Sequence, residues 1–160
     1  MGGIYATLCY DHAERHSGAD IVYKSGNELE AVKLISKLTG FLLITHNSQF
    51  TIDDLPYPAF DLYPHLDYVC ITTTRGCPFR CTYCASHILS KGFVRRDPLK
   101  VVDEIEYWTS NYQIQNIAFY DDALLVDPPR HFIPIIKEVM KRSIQCNLSH
   151  SQCPPYQGDR

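Results

Sequence analysis

Three cysteines at the spacing C-x3-C-x2-C, namely Cys77, Cys81 and Cys84, are the residues of this sequence whose types and spacing could do chemistry. A loop can turn three such thiolates toward one centre, and cysteine thiolates are the ligands that hold iron–sulfur clusters. Three protein ligands leave one iron of a four-iron cluster open, whereas clusters that only carry electrons are normally closed by a fourth cysteine. The spacing therefore predicts a cluster that binds a further molecule.

A zinc site is the alternative for the same cysteines. Structural zinc takes four closed ligands, commonly from paired C-x2-C units. The sequence has one such unit, Cys81 and Cys84, so that His87 or Cys70 would have to supply the fourth ligand. We favour the iron–sulfur interpretation and keep zinc as the alternative.

The elements that must position the cysteines alternate between strand and helix from residue 68 onward. Strands are predicted at 68–73, 116–120 and 144–148, with helices starting at Asp97-Pro98 and at Asp127-Pro128. The apolar faces expected of the two helices are Val101, Val102, Ile105 and Trp108, and Phe132, Ile136, Val139 and Met140. This alternation predicts parallel βαβ units. The cysteines and the pair Asp121 and Asp122 then follow strand ends, which is the functional side of β/α barrels.

The first 40 residues carry a different pattern. A glycine turn and a loop precede a predicted strand at 20–23, and a helix is predicted from the cap Asn27 to Gly40. Residues 41–44 look β-like, but three prolines between residues 56 and 64 exclude a helix or a central strand. We therefore expect residues 41–66 to be an interdomain linker.

Composition and charge exclude several classes of protein. The 160 residues are 45% hydrophobic and 21% charged, which is not a disordered composition. The formal net charge of −3 gives no broad basic field, so nucleic acid is not indicated as a partner. No apolar run approaches the roughly 20 residues of a membrane span, and no signal peptide begins the chain, so we expect a cytoplasmic protein that does not contact the membrane.

The seven cysteines are expected to be reduced, because their number is odd and no export signal is present. A free buried cysteine usually behaves as a small apolar residue. We assign no role to four of them, Cys9, Cys70, Cys146 and Cys153.

Residues 74–84 resemble the radical S-adenosylmethionine superfamily, in the branch that carries a cobalamin-binding domain ahead of the radical barrel. The C-x3-C-x-aromatic-C signature matches without a gap. Residues 2–7 and 18–22 look like the closing part of the cobalamin domain, and residues 92–142 look like the second unit of the barrel and its following helix. The resemblance implies an α/β fold in which residues 1–40 end a flavodoxin-like cobalamin-binding domain, 41–66 form a Pro-rich linker, and 67–160 form the first two to three βα units of a partial TIM-type barrel.

The resemblance also implies cofactors and a reaction. Cys77, Cys81 and Cys84 would hold a [4Fe-4S] cluster, with S-adenosylmethionine bound to the open iron through its amino and carboxylate groups. An electron from a low-potential donor such as a flavodoxin or ferredoxin would cleave the sulfonium and give a 5′-deoxyadenosyl radical that abstracts hydrogen from a small-molecule substrate. Residues expected at S-adenosylmethionine are Tyr83 near the adenine and Tyr120, Asp121 and Asp122 near the methionine moiety. The glycine pair Gly2 and Gly3 would belong to the cobalamin site.

Two departures from the family pattern bear on these expectations. The earlier strands of the cobalamin-binding domain, with any axial-histidine motif in them, are expected to lie upstream of Met1 and are absent from this sequence. Tyr120-Asp121-Asp122 stands where the family usually has Gly-Gly-Glu. Carboxylates in a loop before a helix otherwise act as caps or turn formers, and a glycine pair otherwise forms an ordinary turn.

The length of the chain limits the activity that we expect from it. A closed eight-unit barrel takes about 250 residues, so residues 67–160 provide about three units. We therefore expect a fragment, or a truncated gene product, of a larger cobalamin-dependent methyltransferase or related enzyme, and we assign no catalytic residue. The alternative is a non-catalytic metal-binding module, with an iron–sulfur cluster or zinc, that has no turnover.

Overall fold

A parallel sheet forms where the sequence alternates strand and helix signals. The computed structural model describes residues 1–24, 28–41, 51–90 and 92–150. Within these ranges the strands are β1 (Tyr68–Ile71), β2 (Thr74–Arg75), β3 (Val94–Arg95), β4 (Asn116–Phe119) and β5 (Asn147–His150). Strands β1, β4 and β5 form one parallel sheet in that order, and β2 pairs with β3 in a separate antiparallel pair. The predicted α/β class with parallel strands is therefore confirmed.

The chain divides into two compact units. The first contains Met1–Asp54 and Phe79–Lys91, and the second contains Leu55–Pro78 and Gly92–Arg160. All five strands belong to the second unit. The interpretation of residues 1–40, 41–66 and 67–160 as a domain end, a linker and a partial barrel stays a prediction.

The described part of the first unit consists of helices joined by irregular segments. Its helices are α1 (Gly3–Leu8), α2 (Tyr10–His16), α3 (Glu28–Thr39) and α4 (Ser86–Leu89). The predicted helix before Gly40 is confirmed as α3, and Gly40 ends it at a φ of 73° with its N–H donating to the Ser36 carbonyl. The cap assigned to Asn27 and the β-like residues 42–44 lie outside the described residues.

Two predictions for the first 24 residues are wrong. The expected turn and loop are the helices α1 and α2, and residues 20–24 form no strand. Their backbone instead bonds to the first residue, since the Met1 amino group donates to the Ile21 carbonyl at 2.7 Å and the Tyr23 N–H donates to the Met1 carbonyl at 2.8 Å. A β-prone run needs a neighbouring strand, and these residues do not have one among the described part of the chain.

In the second unit, helix α5 (Pro98–Tyr112) follows its sequence signals closely. The Asp97 carboxylate caps the helix by accepting from the Leu99 N–H at 2.8 Å, and Pro98 occupies the first turn. The predicted apolar face is buried in full. The helix ends at Gln113, which has a φ of 57°.

Helix α6 (Phe132–Lys141) starts later than predicted. A 3-10 turn, Pro128–Arg130, precedes it, and Pro134 is accommodated because it falls in the first turn of the α-helix. Its fully buried positions are Ile135 and Val139, four residues apart, whereas Met140 is 72% exposed. The assignment of Met140 to the buried face is therefore wrong. No described helix is long and apolar enough to cross a membrane.

The core of the second unit lies between the parallel sheet and helices α5 and α6. Val69 and Ile71 of β1 and Ile117 and Phe119 of β4 are buried against the helices. On the other face of β1 and β4 the residues are only partly buried or exposed. Because β1 and β4 are parallel, their carboxyl ends lie at the same edge of the sheet. The buried side chains of both strands pack in the core with the helices.

Candidate functional site

The three cysteines lie in residues 76–85, which have no regular secondary structure and connect β2 to α4. We call this segment the cysteine loop. Gly76, which is buried, turns the chain directly before Cys77 at a φ of 77°, a left-handed conformation that favours glycine. Cys77 and Cys84 are partly buried and Cys81 is exposed. The described cysteines are all free thiols, as predicted, and Cys153 lies outside the described residues.

The ligand role of the cysteines rests on the chemistry of their side chains. Three free thiols in an irregular loop after a strand are the donor set that an iron–sulfur cluster takes. Cys77 belongs to the second unit, and Cys81 and Cys84 belong to the first. In the part of the chain that the structure describes, no three His, Cys, Asp or Glu side chains are grouped closely enough to form a metal site. The three ligands therefore stay a prediction.

Cys84 is held at the start of α4. Its N–H donates to the Cys81 carbonyl at 3.1 Å, which closes the turn between the two cysteines. Its thiol donates to the Ser86 hydroxyl at 3.2 Å, and the Ser86 N–H donates to the sulfur at 3.4 Å. An N–H aimed at sulfur stabilises the thiolate that a metal requires.

Buried polar groups hold residues 72–74, through which the chain reaches the cysteine loop. Asp121 follows β4 and is only 4% exposed. Its Oδ1 accepts from the Thr73 N–H at 2.9 Å, the Thr73 hydroxyl at 3.2 Å, the Thr74 N–H, and the Thr74 hydroxyl at 2.7 Å. Its Oδ2 is buried and has no hydrogen-bond partner among the described residues. One carboxylate oxygen therefore fixes both threonines.

Arg96 donates hydrogen bonds to two backbone carbonyl groups of the same residues. Its backbone N–H donates to the Thr73 carbonyl at 2.9 Å, and its Nη1 donates to the Thr72 carbonyl at 3.0 Å. The same Nη1 lies 2.5 Å from Oε2 of Glu104, and the two side chains are 9% and 3% exposed. Helix α5 is thus connected to residues 72–74 through a buried ion pair.

His131, directly before α6, completes this network. Its Nε2 lies 2.8 Å from the Thr73 hydroxyl oxygen, and the imidazole is buried. Sequence reasoning missed Thr73, Thr74 and His131. It also missed Glu104, although a carboxylate on the apolar face of α5 was a readable signal.

The residues expected at S-adenosylmethionine lie in different places. Tyr120, Asp121 and Asp122 follow β4 at the carboxyl edge of the sheet, and the Tyr120 N–H donates to the Ile71 carbonyl of β1 at 3.0 Å. Tyr120 and Asp122 are exposed, whereas Asp121 is buried. Tyr83 belongs to the first unit and is 91% exposed. Their ligand remains a prediction.

The glycine pair begins a helix. Gly2 is the N-cap of α1, and Gly3 is its first residue with a φ of 87°. A side chain at Gly2 would make ordinary contact with Tyr23, 3.8 Å from its carbonyl oxygen. The cobalamin role of the pair stays a prediction.

A cavity of about 280 Å³ lies at the other end of β1. Phe60, Leu66 and Tyr68 are among its lining residues, and Cys70 reaches it from the strand. Burial raises the pKa of the Cys70 thiol.

Comparison with known proteins finds relatives that are much longer than this chain, which aligns with only part of each. No family model and no solved structure matches the chain. It is 30% identical over 157 residues to an uncharacterised methyltransferase of Pyrococcus horikoshii, which covers 81% of this chain and 34% of that protein. It is 31% identical over 174 residues to an anaerobic magnesium-protoporphyrin IX monomethyl ester cyclase of Cereibacter sphaeroides, covering 90% of this chain and 28% of the cyclase. A cyclase of the same name from Rubrivivax gelatinosus is 33% identical over 70 residues. The chain is therefore similar, over most of its length, to about a third or less of a methyltransferase and of a cyclase.

Proposed function

We propose that this chain carries the cluster-binding part of a radical S-adenosylmethionine enzyme of the cobalamin-dependent class. Cys77, Cys81 and Cys84 hold a [4Fe-4S] cluster, and S-adenosylmethionine binds its open iron. The observation that carries the proposal is the C-x3-C-x2-C spacing in an irregular loop of free thiols, which follows the parallel strand β1 and the short strand β2. Similarity to proteins named methyltransferase and cyclase agrees with this class.

The chemistry divides between the cofactors and the residues of the chain. When bound, the cluster would supply the electron for reductive cleavage of the sulfonium of S-adenosylmethionine, which gives methionine and a 5′-deoxyadenosyl radical. The chain provides thiolates, and the Ser86 N–H stabilises the negative charge on Cys84. Tyr120 and Asp122 are exposed at the carboxyl edge of the sheet, where they can contact the methionine moiety, and the exposed ring of Tyr83 can stack on adenine.

The sheet order supports a partial TIM-type barrel. Successive parallel strands β1, β4 and β5 are neighbours, with helix α5 between the first two and α6 between the last two, as in the start of a β/α barrel. We infer that residues 1–40 end a flavodoxin-like cobalamin-binding domain and that a flavodoxin or ferredoxin supplies the electron. The whole protein's reaction would be a cobalamin-dependent methyl transfer or a related conversion.

Anaerobic reconstitution with iron and sulfide tests the proposal on the 160-residue chain. We expect about four irons per chain and an electron paramagnetic resonance signal, after reduction, that changes when S-adenosylmethionine is added. Dithionite-dependent formation of 5′-deoxyadenosine would show the cleavage directly.

Matched cysteine variants make the test specific. Cys77→Ala, Cys81→Ala and Cys84→Ala should each lose the cluster, whereas Cys9→Ala, which removes an exposed thiol between α1 and α2, should keep it. A cluster whose electron paramagnetic resonance spectrum does not change when S-adenosylmethionine is added would contradict the radical chemistry. One tightly bound zinc and no iron would support the non-catalytic metal-binding module instead.

A further inference from the structure

We propose that Asp121 is a positioning residue for Cys77, acting through Thr73 and Thr74. This inference rests on the proposed function, because it assigns to the buried carboxylate the task of setting where the first cluster ligand is presented. It is separate from the predicted contact of Asp121 with S-adenosylmethionine.

The first step is the strength of the contact. Oδ1 of Asp121 accepts from both the backbone and the hydroxyl of Thr73 and of Thr74, at 2.9 Å and 3.2 Å for Thr73 and 2.7 Å for the Thr74 hydroxyl. Hydrogen bonds to an ionised acceptor are roughly twice as strong as neutral ones. Because Asp121 and both threonines are buried, water cannot replace these bonds when they break.

The second step is the short path from Thr74 to Cys77. Thr74 and Arg75 form β2 and pair with β3 in the register Thr74 to Arg95 and Arg75 to Val94. The next residue, Gly76, is buried in a left-handed turn. Each residue between Thr74 and Cys77 therefore has a constrained backbone, and a displacement at Thr74 is carried to Cys77.

The third step separates Asp121 from its neighbours in the network. On residues 72–74, Arg96 donates to the carbonyl oxygens of Thr72 and Thr73, and His131 contacts the Thr73 hydroxyl. Asp121 is the acceptor for the N–H groups of both Thr73 and Thr74. Loss of Asp121 therefore leaves the N–H groups of Thr73 and Thr74 without their acceptor, while the carbonyl groups of residues 72 and 73 stay bonded to Arg96.

The test compares Asp121→Ala and Asp121→Asn with Asp67→Ala, which removes an exposed carboxylate at the amino end of β1. In the reduced, metal-free protein, hydrogen exchange at residues 73 and 74 should accelerate on the order of tenfold or more in Asp121→Ala. Alkylation of Cys77 by iodoacetamide should become faster relative to Cys9, and iron uptake should fall well below the wild-type level. Asp121→Asn keeps an acceptor oxygen without the charge, so its exchange rate, Cys77 alkylation rate and iron uptake should lie between those of the wild type and Asp121→Ala.

Matched variants at Thr74 keep the test decisive if Asp121→Ala does not fold. Thr74→Val removes the hydroxyl donor and should shift Cys77 alkylation and iron uptake in the same direction, whereas Thr74→Ser keeps that donor and should match the wild type. Equal behaviour of the two variants would overturn the proposal. So would a folded Asp121→Ala with fast exchange at residues 73 and 74 but unchanged Cys77 reactivity and iron content.

The two proposals fail in different ways. If the wild type takes up no iron, the proposed function is wrong, but the alkylation rates of Cys77 still show whether Asp121 positions it. If the wild type binds the cluster and Asp121→Ala binds it equally well, only the positioning role is wrong.

Discussion

Replacing Glu104 by alanine should destabilise the protein far more than replacing Glu106, although both carboxylates lie on α5 and both contact an arginine. Glu104 lies 2.5 Å from Arg96 with side chains 3% and 9% exposed. Removing one partner of a buried ion pair costs about 3–5 kcal/mol, because the remaining charge has lost its compensation in a poorly solvated place. Folded domains have a total stability of roughly 5–15 kcal/mol, so this is a large fraction of it. Arg96 also donates to the Thr72 carbonyl, so the loss should extend to residues 72–74.

Urea unfolding followed by circular dichroism measures this difference. Glu104→Ala should lower the midpoint strongly at an unchanged m-value, and Glu104→Gln, which keeps an acceptor, should cost about 1–3 kcal/mol. Glu106→Ala should move the midpoint only slightly, since that side chain is 47% exposed and Arg142 keeps its contacts with Asp103 and Glu138. Equal midpoints for Glu104→Ala and Glu106→Ala would refute the reasoning from burial.

Two further predictions follow from pKa shifts. Burial raises the pKa of the Cys70 and Cys146 thiols, so a smaller fraction of each is thiolate at pH 8. Both should therefore react with iodoacetamide more slowly than the exposed Cys9, which mass spectrometry of the alkylated peptides would measure. Equal alkylation rates for the three cysteines would contradict this prediction. The hydrogen bond from Arg142 lowers the pKa of Glu138, so this carboxylate stabilises the fold above its unfolded pKa of about 4.3 and the stabilisation is lost as the pH falls through the lower folded value. Arg142→Ala should raise the pKa of Glu138 in a carbon-13 NMR titration, and an unchanged value would show that the hydrogen bond does not act on it.

The parts of the fold that could be predicted are those whose signals are local. Helix α5 carries its cap at Asp97, its first-turn Pro98 and an apolar face at the right spacing, and all of these act within a few residues. The wrong strand at 20–23 had only its β propensity, which a strand realises through pairing with a neighbour. Met140 was misplaced because the α-helix follows a 3-10 turn and its buried residues are Ile135 and Val139.

The candidate site was predictable from spacing but not from contacts. The cysteines are recognised by their separation along the chain, which is visible in the sequence. Of the adjacent carboxylates Asp121 and Asp122, the sequence does not show which one turns inward. The structure buries Asp121 on donors of Thr73, 48 residues earlier, and leaves Asp122 exposed. A contact between residues so far apart is set by the arrangement of the sheet, which no local pattern encodes.

The sequence separation between Thr73 and Asp121 also sets a delay during synthesis of the chain. Synthesis proceeds at roughly 5–20 residues per second, so the 48 residues between them take about 2–10 seconds to add. All three cysteines of the loop precede Asp121 in the chain. Cys77, Cys81 and Cys84 are added 44, 40 and 37 residues before Asp121, so for most of that interval they belong to a chain without the carboxylate that later fixes their approach. The hydrogen bonds that hold residues 73 and 74 can therefore form only after Asp121 has been added and β4 has paired with β1.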